Sequence, residues 1–306
     1  MVRNFLFHRV SPERDLLWDP MDVKRFDQCI SFISKHFEVV LLEDLMGQEK
    51  IDSKKKYASI CFDDGFKDNI EYAAPILKKH QCKASFYVVT NSIEENIPTW
   101  TYMLDYRFQK TDMSRLELKF DFLPQAFSIT ELPTSKDRRD FAIKLKPFLK
   151  KLEHEKRELV LQKIAESFSD VLTPKIMMNW EDLIELKRQG HYIGSHSAHH
   201  SMLGTMKHEE DVWRELADSA EMIEKKMGYF PVSISYPVGS YNEMTIALSK
   251  KVGYTMGLAV RQDEFHPERD NRFEIPRIEL YNEPYWKMYL RMTHILENFK
   301  KLVKYR

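Results

Sequence analysis

Apolar and polar positions fall into short blocks along the chain, and the blocks alternate between two periods. The apolar run at residues 3–7 predicts a buried strand, and Phe26, Ile30, Ile33 and Phe37 at near-helical spacing predict a helix over 21–36. The runs FEVVLL (37–42), YASICF with its two following aspartates (57–64) and KASFYVV (83–89) predict three more strands. A helix carrying Pro75 is expected over 68–80. Beyond Trp100 the rhythm breaks. Residues 101–175 lack glycine and contain two charged amphipathic stretches, around 105–120 and 137–169, which predict an inserted helical subdomain. Alternation then resumes with a helix over 179–190, a strand at 191–196, a helix over 208–228 and a strand at 233–237. A helix over 242–252, strands at 255–260 and 275–280, and a last helix near 284–300 follow. Repeated β-α units imply a mostly parallel sheet, open or closed into a barrel. On this reading 1–100 and 176–306 form one α/β unit, interrupted by 101–175.

Composition narrows the classes. Hydrophobic residues at 43% and charged ones at 31% exclude disorder, and 306 residues suffice for one α/β barrel or two smaller domains. The 47 basic and 47 acidic residues cancel, so the basic footprint of a nucleic-acid binder is missing and no nucleic-acid partner is expected. No apolar run approaches the roughly 18 residues of a membrane span, so no transmembrane segment is expected. The N-terminal residues show neither the apolar core nor the cleavage site of a secretory signal, and Cys29, Cys61 and Cys82 are an odd set without metal-ligand spacing. A cytoplasmic location is therefore the expectation. The oligomeric state is left open.

Candidate chemistry lies where strands end, because the loops after parallel strands form the functional face of such folds. Asp63 and Asp64 follow an apolar strand and precede Gly65; adjacent carboxylates repel and are hard to bury without a cation. A second strand runs into Gly194-Ser195-His196-Ser197-Ala198-His199-His200. Histidines four apart converge on one ion if the intervening turn is helical, although His199 offers a competing partner. One carboxylate and two imidazoles make an open catalytic metal site, which leaves one aspartate free to act as general base on water.

Phe62-Asp63-Asp64-Gly65 with the later His196-Ser197-x-x-His200 resembles the first two motifs of the polysaccharide deacetylase family, the NodB-homology or carbohydrate esterase family 4 group. Tyr236-Pro237-x-Gly239-x-Tyr241 resembles its third motif, and Leu6-Phe7-His8-Arg9-Val10 its opening strand. The resemblance covers roughly 1–100 and 176–280 and leaves the 101–175 segment unmatched; it implies a distorted (β/α)7 barrel, here expected to carry that segment as a helical insertion. It implies Asp63 as general base, and Asp64, His196 and His200 as ligands of one divalent ion. Zn²⁺ is favoured for that ion, with Co²⁺ and Ni²⁺ as alternatives. It also implies the backbone N–H of Val238 as oxyanion donor.

Two departures stand out. Ser235 replaces the family's usual arginine two residues before Pro237, a role for which Arg277 is the candidate substitute, and the last Leu-x-His motif is absent. His8, at the end of the first strand, is the candidate general acid. His294 fits better as a packing residue. Pro237, Tyr241 and Trp100 are the candidate substrate contacts, while the basic run Lys144, Lys146, Lys150 and Lys151 reads either as solvated or as meeting an anionic group. The expected activity is metal-dependent removal of an N-acyl group, acetyl first, from an amino sugar carried on a sugar nucleotide, a lipid-linked precursor or a glycan. The rival readings are an N-deformylase or cyclic-amide hydrolase on the same barrel, and a decayed carbohydrate-binding protein.

Overall fold

The computed structural model describes residues 1–295. Strand β1 (Val2–Phe7) leads through a loop to helix α1 (Val23–His36), whose first turn is capped by the Asp22 carboxylate accepting from the Lys24 and Arg25 amides. Strand β2 (Glu38–Val39), helix α2 (Leu42–Met46), strand β3 (Tyr57–Phe62), helix α3 (Ala74–Lys79) and strand β4 (Ser85–Val88) follow. Helix α4 (Thr90–Glu95) is next, and the segment expected as an insertion contains α5 (Trp100–Lys110), β5 (Arg115–Glu117), α6 (Gln125–Ser128), β6 (Ile129–Glu131), α7 (Ser135–Leu149) and α8 (His154–Ser167). The chain returns with α9 (Trp180–Arg188), β7 (Tyr192–Ser195), α10 (Glu209–Met227), β8 (Ser233–Ser235), α11 (Glu243–Val252), β9 (Met256–Leu258), β10 (Ile278–Glu279) and α12 (Tyr285–Met292).

The parallel strands run in the order β10-β1-β3-β4-β7-β8-β9, with β2 beside the first half of β3. One segment joins the two ends of this curled sheet. Ile275 bridges to Leu258 of β9, while Ile278 and Glu279 pair with Phe5 and Leu6 of β1, which gives the distorted barrel. Side chains alternate across the sheet. Ala58, Ile60 and Phe62 of β3 pack outward with α1 and α3, whereas Tyr57 and Cys61 face a lumen shared with Val2, Leu6, Tyr87, Met256, Leu258 and Ile275.

Several sequence expectations change here. The apolar run 37–42 is not one strand: pairing stops at Val39, and Leu42, Leu45 and Met46 of α2 plug the lumen instead. The helix expected over 68–80 opens with a wide π-turn at Asn69–Ala73 before Pro75 enters α3. The stretch near 105–120 ends its helix at Lys110 and enters the β5-β6 antiparallel pair, and 137–169 is two helices. Their apolar stripe does not pack on the barrel. Phe141, Leu145, Leu149, Val160 and Ile164 form the insertion's own core with Leu104, Phe108 and Phe168, while Ile143 and Leu159 are exposed. The part of the last expected helix beyond residue 295 lies outside the described residues. No helix among the described residues is long and apolar enough to cross a membrane.

Glu43 of α2 carries a carboxylate into the lumen, where it accepts from Ser85 Oγ (2.7 Å), Tyr87 Oη (2.6 Å) and Ser233 Oγ (2.7 Å). Glu43→Ala strands three buried hydroxyls and is expected to lower unfolding free energy by about 3 kcal/mol, read as a shifted urea midpoint. An unchanged midpoint would show that the network contributes nothing to the fold.

Candidate active site

The alternation that builds the lumen also delivers the site. Continuing the inward positions past the strand ends brings His8 from β1, Asp63 from β3, His196 from β7, Ser235 from β8 and Arg277 from the closing segment to one end of the barrel. Asp64 is turned across by a left-handed backbone (φ 76°), followed by Gly65 at φ 92°. A Cβ on Gly65 would lie 2.9 Å from Ile93 Cδ1 and 3.2 Å from Val88 Cγ1, so this turn needs glycine for space as well as conformation. His196 and His200 do converge, but not along a helix. Ser197 (φ 64°) and His200 (φ 60°) are both left-handed, and a tight loop folds the second imidazole back.

The Asp64, His196 and His200 ligand atoms lie within 4.8 Å of one another, and all three residues are buried. Asp64 Oδ1 is 3.5 Å from His196 Nε2 and 3.3 Å from His200 Nε2, and it has no hydrogen-bond partner. An orphaned buried carboxylate oxygen facing two imidazole nitrogens is the donor set of a divalent-ion site, so the residues present fit the implied metal. His196 Nδ1 lies 2.7 Å from the Ser235 carbonyl, which fixes the ring with Nε2 toward the cluster. Burial alone would raise the Asp64 carboxyl, but the two imidazoles outweigh it and hold it well below the usual range. Burial lowers the pKa of His200 and so favours its neutral imidazole, whereas at His196 the Asp63 and Asp64 carboxylates outweigh burial and raise it.

Asp63 is held differently. Its Oδ1 accepts from Arg277 Nη1 at 2.8 Å and its Oδ2 from Ser235 Oγ at 3.1 Å, while Oδ2 lies 3.9 Å from His196 Nε2. Burial pushes this carboxyl up, and the fully buried Arg277 guanidinium, aided by His196, more than reverses that. Arg277→Met is expected to cost about 3 kcal/mol near neutral pH, because it leaves a buried carboxylate unpaired. The wild-type pair contributes above the ordinary carboxylate range and fades as pH falls through the lowered Asp63 value. In the variant the unpaired carboxyl rises and takes a proton earlier. The stability gap between the two should therefore narrow as pH drops toward about 4, which urea unfolding with a chelator present measures.

His199 turns away: its Nδ1 meets Glu215 Oε1 at 2.9 Å and its ring is exposed. Glu215 also accepts from the His199 amide (3.0 Å) and from Ser201 Oγ (2.9 Å), which ties the histidine loop to α10. His294 is buried after α12, with Nε2 3.4 Å from Asp263.

Above the cluster is a cleft of about 220 Å³ lined by His8, Asp63, Asp64, His196, His200 and Val238, with Trp18, Thr101, Lys146, Lys150, Val260 and Glu279. His8 Nδ1 lies 3.6 Å from Glu279 and its ring meets Trp18 edge-on at 5.4 Å. Val238 is strained at φ 57°, a rare backbone for a β-branched residue. Among the candidate substrate contacts, Trp100, Pro237 and Tyr241 do not line this cleft. Trp100 turns onto the insertion's core beneath Arg157, and its neighbour Thr101 takes the cleft position. Tyr241 stacks on Tyr236 and donates to Glu274. Sequence reasoning missed Trp18, whose one signal was a tryptophan in the loop after the first strand. It also missed Ser235 as a direct partner of Asp63.

The profile of the family described as polysaccharide deacetylase matches residues 50–131 and 141–257 of this sequence. The chain belongs to the polysaccharide deacetylase family. Its curated relative YxkH of Bacillus subtilis (strain 168) is 35% identical over 78 residues, a stretch that is 26% of this chain and 28% of YxkH. The Streptococcus pyogenes deacetylase PplD, solved in complex with acetate, superposes at TM-score 0.60 with 16% identity, covering 95% of this chain and 96% of that one. IcaB from Ammonifex degensii superposes at 0.59 with 14% identity, covering 95% and 96%. At these identities the structural likeness speaks to the fold: this polysaccharide deacetylase family member shares the curled parallel sheet of both.

Proposed function

We propose that this protein is a metal-dependent amide hydrolase that removes the acetyl group from an N-acetylated amino sugar. The observation that carries the reading is the unequal treatment of two adjacent carboxylates. Asp64 points an unpartnered oxygen at two imidazoles, while Asp63 is held by Arg277 and Ser235 with Oδ2 turned toward the same cluster. One is arranged as a ligand and the other as a base.

Asp64, His196 and His200 would hold the divalent ion, which when bound polarises the acyl oxygen and acidifies water. Asp63 Oδ2 keeps a lone pair after accepting from Ser235, and takes the proton as the water oxygen bonds to the acyl carbon. The Val238 amide donates to the negative charge that develops on the acyl oxygen, from a backbone already bent into place. His8 protonates the nitrogen as the C–N bond breaks, so acetate and a free amino sugar leave. Trp18, on the wall beside His8, offers an aromatic face to the sugar ring. Arg277 on Asp63 also speaks against decay, since the position left open by Ser235 is filled in space by a buried guanidinium.

The test is incubation of the metal-loaded protein with N-acetyl sugars, oligosaccharides and sugar nucleotides, followed by assay of free acetate. Acetate from at least one class is expected. Formate from N-formyl analogues with no acetate would favour the deformylase instead, and saccharide binding without any turnover would favour the decayed binder.

A further inference from the structure

The cleft has one wall that the hydrolytic chemistry does not use. Lys146 and Lys150 lie one helical turn apart at the end of α7, and both line the cleft together with His8 and Glu279. The other charges there have counterparts. Asp63 is paired with Arg277, Asp105 with Lys146, and Asp64 belongs to the ligand cluster. Glu279 lies against His8 and accepts from Tyr281 Oη at 2.5 Å. The Lys150 ammonium has no ion pair or hydrogen bond among the described residues, although the residue is half-buried.

We infer that Lys150 forms a subsite for an anionic substituent, a phosphoryl or carboxyl group, carried by the amino sugar or by the residue next to it. The inference rests on the deacetylase reading and adds the class of substrate. Burial, and then the charge of Lys146, depress the Lys150 ammonium, and the Glu279, Asp105 and Asp64 carboxylates reverse this only in part, so a docked anion relieves a cation held at a cost. A lone rotatable ammonium suits an anion presented at the cleft mouth, where strict bidentate geometry is not required. The second cleft, about 210 Å³, shares His8, Trp18 and Glu279 with the first, so the groove extends past a single sugar ring.

The test compares methyl N-acetylglucosaminide, N-acetylglucosamine 1-phosphate and an N-acetylglucosamine–glucuronate disaccharide on wild type, Lys150→Ala and Lys150→Arg. Acetate release is measured alongside direct equilibrium binding by calorimetry. We expect one or both anionic compounds to show a KM about tenfold below the neutral glycoside. Lys150→Ala should abolish that advantage with kcat little changed, and Lys150→Arg should restore most of it. Preference for the phosphate alone identifies a phosphorylated sugar, and preference for the disaccharide alone a uronate-containing glycan. Equal KM and equal affinity for all three on wild type would overturn the inference, as would a Lys150→Ala effect equal on neutral and charged compounds. If none of the three releases acetate, the wider panel of N-acetyl sugars, oligosaccharides and sugar nucleotides decides the deacetylase reading, while a calorimetric preference for the anions that is lost in Lys150→Ala still upholds the subsite, and its absence removes it.

Discussion

Asp63→Asn is expected to reduce turnover by about 100-fold or more while leaving metal affinity near normal, the scale of losing a general base. The amide oxygen can still accept from Arg277 Nη1, so the buried guanidinium keeps a partner and the fold should survive. The amide nitrogen then occupies the Oδ2 position, where it can donate but cannot take a proton from water at neutral pH. The ligand cluster loses none of its three donors. The reading is steady-state acetate release beside metal content per chain. A variant that retained wild-type turnover would remove Asp63 from the reaction, and one that lost its metal would make Asp63 a ligand.

His200→Ala is expected to weaken divalent-ion binding by about 100-fold or more, beyond what loss of a supporting residue around a metal typically costs. The neighbouring His199→Ala should leave binding little changed, because His199 Nδ1 is committed to Glu215 and its ring is exposed. Metal content after dialysis against limiting Zn²⁺ separates the two. Loss of metal in His199→Ala with retention in His200→Ala would mean that the loop presents the other imidazole.

Much of this arrangement was legible because strand alternation and strand ends are properties of sequence. Ser59-x-Cys61-x-Asp63 and Gly194-x-His196 each continue an inward-facing series, so both motifs arrive at the same end of one lumen once the sheet is parallel and curled. The aspartate pair alone reads equally as a polar turn, and it pointed to a cation only once joined to the histidine cluster. The route by which His200 arrives was not legible. Helical spacing and a left-handed loop both join residues four apart, and only the φ values of Ser197 and His200 distinguish them.

Contacts between distant segments were harder still. Ser235 looked like a missing arginine, yet its hydroxyl reaches Asp63 across 172 residues, and Arg277 meets the same carboxylate across 214. The glycine-free stretch 101–175 announced amphipathic helices, but not the direction in which their apolar stripe faces. A stripe such as Phe141, Leu145 and Leu149 satisfies burial against the barrel or against a neighbouring helix equally well, and here α5 and α8 take that place. The same local ambiguity misplaced Trp100, where a shift of one residue puts Thr101 in the cleft. The apolar run 37–42 failed because periodicity cannot separate a short buried strand from a buried plug helix.

The central claim is that Asp64, His196 and His200 hold the one ion on which N-deacetylation depends. The most direct measurement is acetate release from an accepted N-acetyl sugar as Zn²⁺ is titrated into protein stripped by a chelator. The account predicts no release at the start and a rise that saturates at one ion per chain. Release that is already full in the stripped protein, or that never follows the added metal while the ion binds, would contradict it.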